Sequence, residues 1–351
     1  MDFLERLCNA PGVSGFEDAA QALVRTELEP HVDEAWRDRM GNLITVKRTT
    51  RREGVVRKVM FAAHVDEIGM MVSHIDDEGF IRFRAVGGLD PRTLPSERVV
   101  IHGTRGGGGE VNGVIAPQAG WLGTEADRTR VFPVDELYID TGLPAAEVRD
   151  LVEIGDVVTF AARFAFLNDR VVMGRNFDDR MGVYCMVEAM KRIGDPGVDV
   201  YAVSTVQEEV GVRGVPTAGH VIEPDIAIAI DGSLPSDTPY AKAEVRQCEL
   251  GKGTGIYLMD NRTIGNPGLI RSLIKACEEN GIPYQRNLGG ATDASALQRA
   301  GKGAWATTIG APTRYMHSTV QLCHLTDIEA TTALLAAFPT YAAAALPADW
   351  R

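Results

Sequence analysis

The sequence predicts an α/β fold interrupted by an inserted small β-barrel-like domain, and three observations carry that expectation. Short continuous apolar runs, Val59 to Ala63, Val198 to Val206 and Ile226 to Ile230, have the length and β-branched content of buried strands. Helical periodicity alternates with these runs in the first and last parts of the chain. Between about Met70 and Ala162 the texture changes to short strand candidates separated by glycine- and proline-bearing turns, without a long amphipathic helix. The 351 residues thus divide, by expectation, into an α/β unit of residues 1–68 and 165–351 and an inserted β-unit of residues 69–164.

Taken in order, Ser14-Gly15-Phe16-Glu17 has the capping-box pattern and opens a helix with Ala20, Leu23, Val24 and Leu28 on its apolar face. Trp36 to Val46, broken by Met40-Gly41-Asn42, reads as a β-hairpin. The run ending at Ala63 delivers His64-Val65-Asp66-Glu67 at the C-terminal end of a strand, where open α/β sheets bind ligands. In the insert the strand candidates are Met70 to Ile75, Phe80 to Ala85, Val99 to His102, Val111 to Ile115 and Val157 to Phe160. Gly106 to Gly109 lacks the Lys-Ser/Thr and the following helix of a phosphate loop, so it reads as a flexible hairpin tip.

Val171-Val172-Met173 leads to Gly174-Arg175-Asn176-Phe177-Asp178-Asp179-Arg180 and a helix apolar nearly all round, Met181 to Met190. The next two strands deliver Gln207-Glu208-Glu209 and Asp231-Gly232-Ser233. Asn266-Pro267 is an N-cap with Pro at the first helical position, and Asn280-Gly281 stops that helix. Trp305 to Ile309 leads through Gly310 and Pro312 to Arg314-Tyr315-Met316-His317-Ser318. Thr326-Asp327-Ile328-Glu329 caps a final helix that fades into an Ala-rich tail.

Composition narrows the function class. Hydrophobic residues at 45% and charged residues at 24% are those of a globular soluble protein. A net charge of −12 argues against nucleic-acid and anionic-membrane partners. The N-terminal Met1-Asp2-Phe3-Leu4-Glu5-Arg6-Leu7 is an amphipathic helix start, not a signal peptide, and no apolar run approaches the roughly 18 residues of a membrane span. Five scattered cysteines with no CxxC pair read as buried free thiols of a cytoplasmic protein.

Two adjacent acids, Glu208 and Glu209, at the end of a buried strand call for a cation or donor, because burying ionised carboxylates is costly. Neighbours on a strand point to opposite faces, so both reach one site only if the chain turns, as Gly211 allows. His64, Asp178, Asp231 and His317 also stand at strand ends or beside glycine turns. Singly, each has a plain explanation: a hydrogen-bonded core histidine, a helix cap, a turn aspartate, a loop histidine. Together, two imidazoles and three carboxylates are what a pair of Zn²⁺-like ions needs, each taking one His and one carboxylate while the third bridges. A carboxylate left over serves as general base. Asp66, two residues beyond His64, shares its side of the strand and can orient the imidazole.

His64-Val65-Asp66-Glu67-Ile68-Gly69, Asp178-Asp179-Arg180-Met181-Gly182, Gln207-Glu208-Glu209-Val210-Gly211, Ala229-Ile230-Asp231, Gly251-Lys252-Gly253, Thr292-Asp293-Ala294 and Arg314-Tyr315-Met316-His317-Ser318 resemble, in order, the motifs of the tetrahedral (TET) metallo-aminopeptidases, some of which carry the label endoglucanase. The resemblance spans nearly the whole chain. It implies a zinc-exopeptidase-like α/β sandwich with a small β-domain for assembly, and dimers that build a dodecamer. It also implies two divalent ions per subunit, Zn²⁺ or Co²⁺ with Mn²⁺ as a further option, and peptide substrates with a free N-terminus. On that basis His64 and Asp231 hold one ion, Glu209 and His317 the other, Asp178 bridges, Glu208 is the general base, and the Asp178–Asp179 peptide is cis. Thr319 and Gln321 depart from the pattern, where a Pro and sometimes an acid are expected. Lys252 and Arg314 favour acidic substrates if they reach the pocket.

The competing readings are a glycosidase using Glu208 and Glu209, and a non-catalytic scaffold of the same fold. Adjacent acids seldom face each other across a sugar at the roughly 5–9.5 Å such chemistry needs, and a scaffold has no use for a base.

Overall fold

The computed structural model describes residues 1–51, 56–118, 123–239, 241–242 and 247–346. The strands of the first stretch are β1 (Glu34–Arg37), β2 (Leu43–Lys47) and β3 (Lys58–His64). Then come β4 (Gly69–Ile75), β5 (Ile81–Val86), β6 (Arg98–Gly103), β7 (Gly109–Ala116), β8 (Tyr138–Asp140) and β9 (Val157–Phe160). The remainder are β10 (Ala165–Phe166), β11 (Val171–Gly174), β12 (Asp199–Thr205), β13 (Ile226–Ile230), β14 (Thr254–Met259), β15 (Tyr284–Leu288), β16 (Trp305–Gly310), β17 (Thr313–Arg314) and β18 (Gln321–His324).

The main sheet is eight-stranded in the order β1-β2-β12-β3-β13-β16-β14-β15. Its middle strands β12, β3, β13 and β16 are parallel neighbours, and β1–β2 is the expected antiparallel hairpin. Side-chain alternation sorts these central strands into two buried faces. Val59, Phe61 and Ala63 pack with Val200 and Ala202 under the helices Asp2–Asn9, Asp18–Leu28, Phe177–Arg192 and Leu325–Ala337. Met60 and Ala62 face the other way, with Tyr201 and Val203, against the helix Val215–Ile222. A strand with helices on both faces has no solvent side, which is why these runs are continuously apolar.

Register brings the strand ends level. Thr205 pairs with His64, Ala63 with Ile230, and Ile230 with Ile309, so the chain leaves all four parallel strands along one edge of the sheet.

Strands β4 to β9 close into a six-stranded barrel in the order β4-β5-β8-β7-β6-β9, around a core that includes Met70, Phe83, Ile101, Ile139 and Val158. The glycine run is the turn of the β6–β7 hairpin, with Gly106, Gly107 and Gly108 at φ of 60, 97 and 78°. Strand β8 was not expected: three residues carry too little alternation to stand out. A small sheet, β10-β11-β18-β17, completes the structure.

Two helix starts differ from expectation. Glu17 precedes the helix Asp18–Leu28 with no side-chain cap, because Ser14 Oγ donates instead to Asp66 at 2.6 Å. The helix Leu325–Ala337 is capped by His324, whose Nδ1 accepts from the Thr326 N–H at 3.2 Å. Asn266 caps the helix Pro267–Asn280 as read, and Gly281 ends it at φ 65°. Beyond a short helix, Pro339–Ala345, the end of the Ala-rich tail lies outside the described residues.

Candidate metal centre

His64 ends β3 and is 2% exposed. Its Nδ1 lies 3.2 Å from the Asp66 carbonyl and 3.6 Å from the Asp66 carboxylate, while Nε2 lies 3.2 Å from Asp178 Oδ1. Asp66 contacts more than this ring. Its fully buried carboxylate also accepts from the main-chain N–H groups of Glu208 (2.9 Å) and Glu209 (3.1 Å), and so ties the β3 end to the loop after β12. Burial works to raise the Asp66 carboxyl, but His64, Ser14 and the Glu208 amide together hold it below its ordinary value.

The turn that aims both glutamates begins one residue before them. Gln207 has φ 55°, and its N–H donates to the Glu17 carboxylate at 3.2 Å; Gly211, at φ 114°, continues the turn. Glu17 was missed as a site-supporting residue because its local pattern suggested a helix cap.

Asp178 sits between the two imidazoles. Its Oδ1 faces His64, its Oδ2 lies 3.4 Å from His317 Nε2, and its N–H donates to Gln321 Oε1 at 2.8 Å. The peptide bond that follows, Asp178–Asp179, is cis. Glu209 Oε2 lies 3.3 Å from the same His317 nitrogen, and Asp231 is the first residue after β13. Two donor groups result, His64–Asp178–Asp231 and Asp178–Glu209–His317, each with its ligand atoms within 4.8 Å of one another. Glu208 lines the same cleft but belongs to neither group.

The charges at this spot compete. Burial, with neighbouring carboxylates, pushes Glu208 and Asp231 well above the usual range, and burial raises Glu209 too. Hydrogen bonds to Asp178 and Glu209 raise His317 to about 11; His64 is raised by Asp178 and Asp66 against its burial. A crowd of carboxylates with one buried and one exposed imidazole, sharing one acid between two groups, fits divalent cations, which would neutralise the repulsion and take N and O donors alike.

A second buried cluster braces these segments. Glu67 accepts from Arg175 Nε (2.8 Å), Asn176 Nδ2 (3.0 Å) and the Gly12 N–H (3.1 Å). The fully buried Arg180 donates through Nη1 to the carbonyls of Leu7 (2.5 Å) and Ala10 (3.2 Å). The guanidiniums flanking Asp178 are thereby fixed to the segment after His64 and to the N-terminal helix. The barrel also reaches the centre: a Cβ added at Gly88 would lie 2.9 Å from His317 Nδ1, so a residue without a side chain lets the loop after β5 pass over the ring.

The family model of the M42 glutamyl aminopeptidases matches residues 41–334. The chain belongs to that family. A lysyl aminopeptidase of Pyrococcus furiosus is 33% identical over 94% of this M42 chain and 94% of its own length. Aminopeptidase APDkam598 from the archaeon Desulfurococcus kamchatkensis superposes with a TM-score of 0.92 at 34% identity, over 100% of this chain and 98% of that one. The Pyrococcus horikoshii TET1 peptidase, described as able to assemble into a tetrahedron or a large octahedral shell, gives 0.84 at 35% identity, over 96% of this chain and 98% of that one.

In this M42 chain Asp178, Glu209, Asp231 and His317 of the donor groups form the floor of a cleft of about 510 Å³, with the buried His64 not among its lining, and its walls include Leu234, Tyr257, Arg262 and Met316. Of the basic residues considered from sequence, Arg314 is tied to Asp237 by hydrogen bonds of 2.6 and 2.8 Å. Neither it nor Lys252 lines the cleft; Arg262 does. The only sequence signal for Arg262 was its place in an Asp-Asn-Arg-Thr turn after an apolar run.

Proposed function

We propose that the chain removes N-terminal residues from peptides, with His64, Asp178 and Asp231 holding one divalent ion and Asp178, Glu209 and His317 a second. The observation that carries this reading is the pair of donor groups sharing Asp178, with Glu208 beside them and in neither. Zn²⁺, Co²⁺ or Mn²⁺ bound there would lower the pKa of a water and polarise the scissile carbonyl. The protein's own work is then positional and protonic. Glu208 takes a proton from the attacking water on its carboxylate and returns it to the leaving amine nitrogen. Asp66 keeps His64 oriented and holds the Glu208 and Glu209 backbone in place, and the cleft walls exclude bulk water from the peptide bond.

Residues 69–164 form, in this reading, an inserted unit that joins subunits into dimers and a dodecamer, leaving residues 1–68 and 165–351 for catalysis. Its support is the barrel's separate core and the assembling P. horikoshii neighbour. A cytoplasmic location accords with the five buried free thiols, and no helix among the described residues is long and apolar enough to cross a membrane.

Hydrolysis of amino-acid p-nitroanilides, measured before and after EDTA and after adding back Zn²⁺, Co²⁺ or Mn²⁺, tests the function. Activity lost to the chelator and restored by metal is expected. Activity indifferent to EDTA would remove the metal-dependent reading.

A further inference from the structure

Arg262 stands on the cleft wall and takes no part in the chemistry at the floor. Apart from the His317 imidazole it is the one basic side chain among the described lining residues. The nearby acid does not neutralise it: the Asp260 carboxylate accepts from the main-chain N–H groups of Arg262 and Thr263, each at 2.6 Å. Among the described residues the exposed guanidinium has no ion pair or hydrogen bond.

The wall from the floor to this cation is continuous. Tyr257 donates its hydroxyl to the Gly232 carbonyl at 2.8 Å, next to Asp231. A Cβ added at Gly290 would lie 3.8 Å from the Tyr257 ring and 3.7 Å from Leu234, and the Asn261 N–H donates to the Gly290 carbonyl at 2.9 Å. Arg262 follows directly. Gly290 has φ 86°, a conformation that keeps the position free of a side chain and leaves the space beside Tyr257 open. A residue lying along this wall would meet acids at one end, then an aromatic and an aliphatic surface, then an unpaired guanidinium.

We propose that Arg262 selects peptides whose N-terminal residue is acidic, by pairing with that residue's side-chain carboxylate while its amino group lies at the floor. The proposal rests on the aminopeptidase reading and adds the substrate class. Family membership does not settle the choice, since a family described as glutamyl includes the lysyl relative. The physical preference has a definite order. A guanidinium fork meets a carboxylate with two charge-assisted hydrogen bonds. A leucine side chain leaves the exposed guanidinium hydrated at little cost, whereas a lysine side chain brings a like charge against it. Glutamate should therefore lead leucine, and lysine should come last.

The test is kcat/KM of the full-length, metal-loaded protein on Glu-, Asp-, Leu- and Lys-p-nitroanilide at low salt, for wild type, Arg262→Ala and Arg262→Glu. These substrates have no C-terminal carboxylate, so any acidic preference among them belongs to the side chain. Wild type should favour Glu over Leu by about 10- to 100-fold, the size of a charge-assisted hydrogen bond. Arg262→Ala should abolish that ratio, chiefly through KM for Glu, because only the Glu substrate loses a charge-assisted hydrogen bond. Arg262→Glu should shift the preference to Lys, and high salt should narrow the wild-type ratio. A wild type that favours Leu or Lys, an Arg262→Ala variant that keeps the Glu-to-Leu ratio, or one that loses all four substrates equally would each overturn the proposal while leaving the aminopeptidase reading standing. Absence of hydrolysis of any substrate by metal-loaded wild type would overturn both.

Discussion

The two donor groups at the cleft floor are built by different means. In the His64–Asp178–Asp231 group, His64 ends an internal strand, Asp231 follows the adjacent strand by one residue, and the ring is buried against Asp66. In the Asp178–Glu209–His317 group, Glu209 and His317 come from loops, and the His317 side chain is 49% exposed in a backbone at φ 59°. Strand register presets the first group. The second depends on two loops holding their shape and on the barrel's Gly88 passing close above. The expected consequence is unequal affinity: an ion held by the first group should outlast one held by the second.

The largest effect should come from the residue in neither group. Glu208→Gln keeps the shape and removes the proton acceptor, so kcat should fall by about 10²–10⁴ while both groups still load. Metal content by mass spectrometry alongside rates checks this, and an ion lost from Glu208→Gln would place that residue among the ligands. Glu209→Gln should next empty the loop-built group selectively, leaving one ion tightly bound and part of the activity recoverable with excess metal. If both ions leave together, the groups are not independent. Asp66→Asn touches both groups: weakening the partner of a ligating imidazole typically costs about 10–100-fold in affinity, expected here for the strand-built group, with a smaller loss at the loop-built group because Asp66 also accepts from the Glu208 and Glu209 N–H groups. Equilibrium dialysis would show it. The smallest effect is expected of Gly88→Ala, whose methyl group must displace the His317 ring by a few tenths of an ångström. A loss below about tenfold, confined to the loop-built ion, is anticipated.

This inequality also explains what could be read from the sequence. His64 and Asp231 were visible because an uninterrupted apolar run marks a strand buried on both faces, and its end marks the site. Glu208 and Glu209 stood out as a costly pair at such an end. The supports of the loops were hidden. Ser14 and Glu17 form a local pattern that favours a helix cap, yet Ser14 bonds Asp66 and Glu17 bonds Gln207, partners that only the folded sheet brings near. Gly88 gives no local hint that it passes over His317, since its position depends on how the barrel returns to the sheet. Arg262 escaped notice for a similar reason: nothing in a turn sequence says which way its guanidinium faces.

The donors are drawn from both sides of the barrel insertion, beginning at His64 and finishing only at His317, after the last parallel strand. During synthesis, a chain still short of His317 carries an incomplete loop-built group, although its eight-stranded sheet has all its strands once β16 ends at Gly310. The paired donor groups therefore cannot assemble on a polypeptide that has not yet reached His317. The scattering of donor residues along the chain thus sets an order of assembly, with the residues of the strand-built group all available before the loop-built one can be completed.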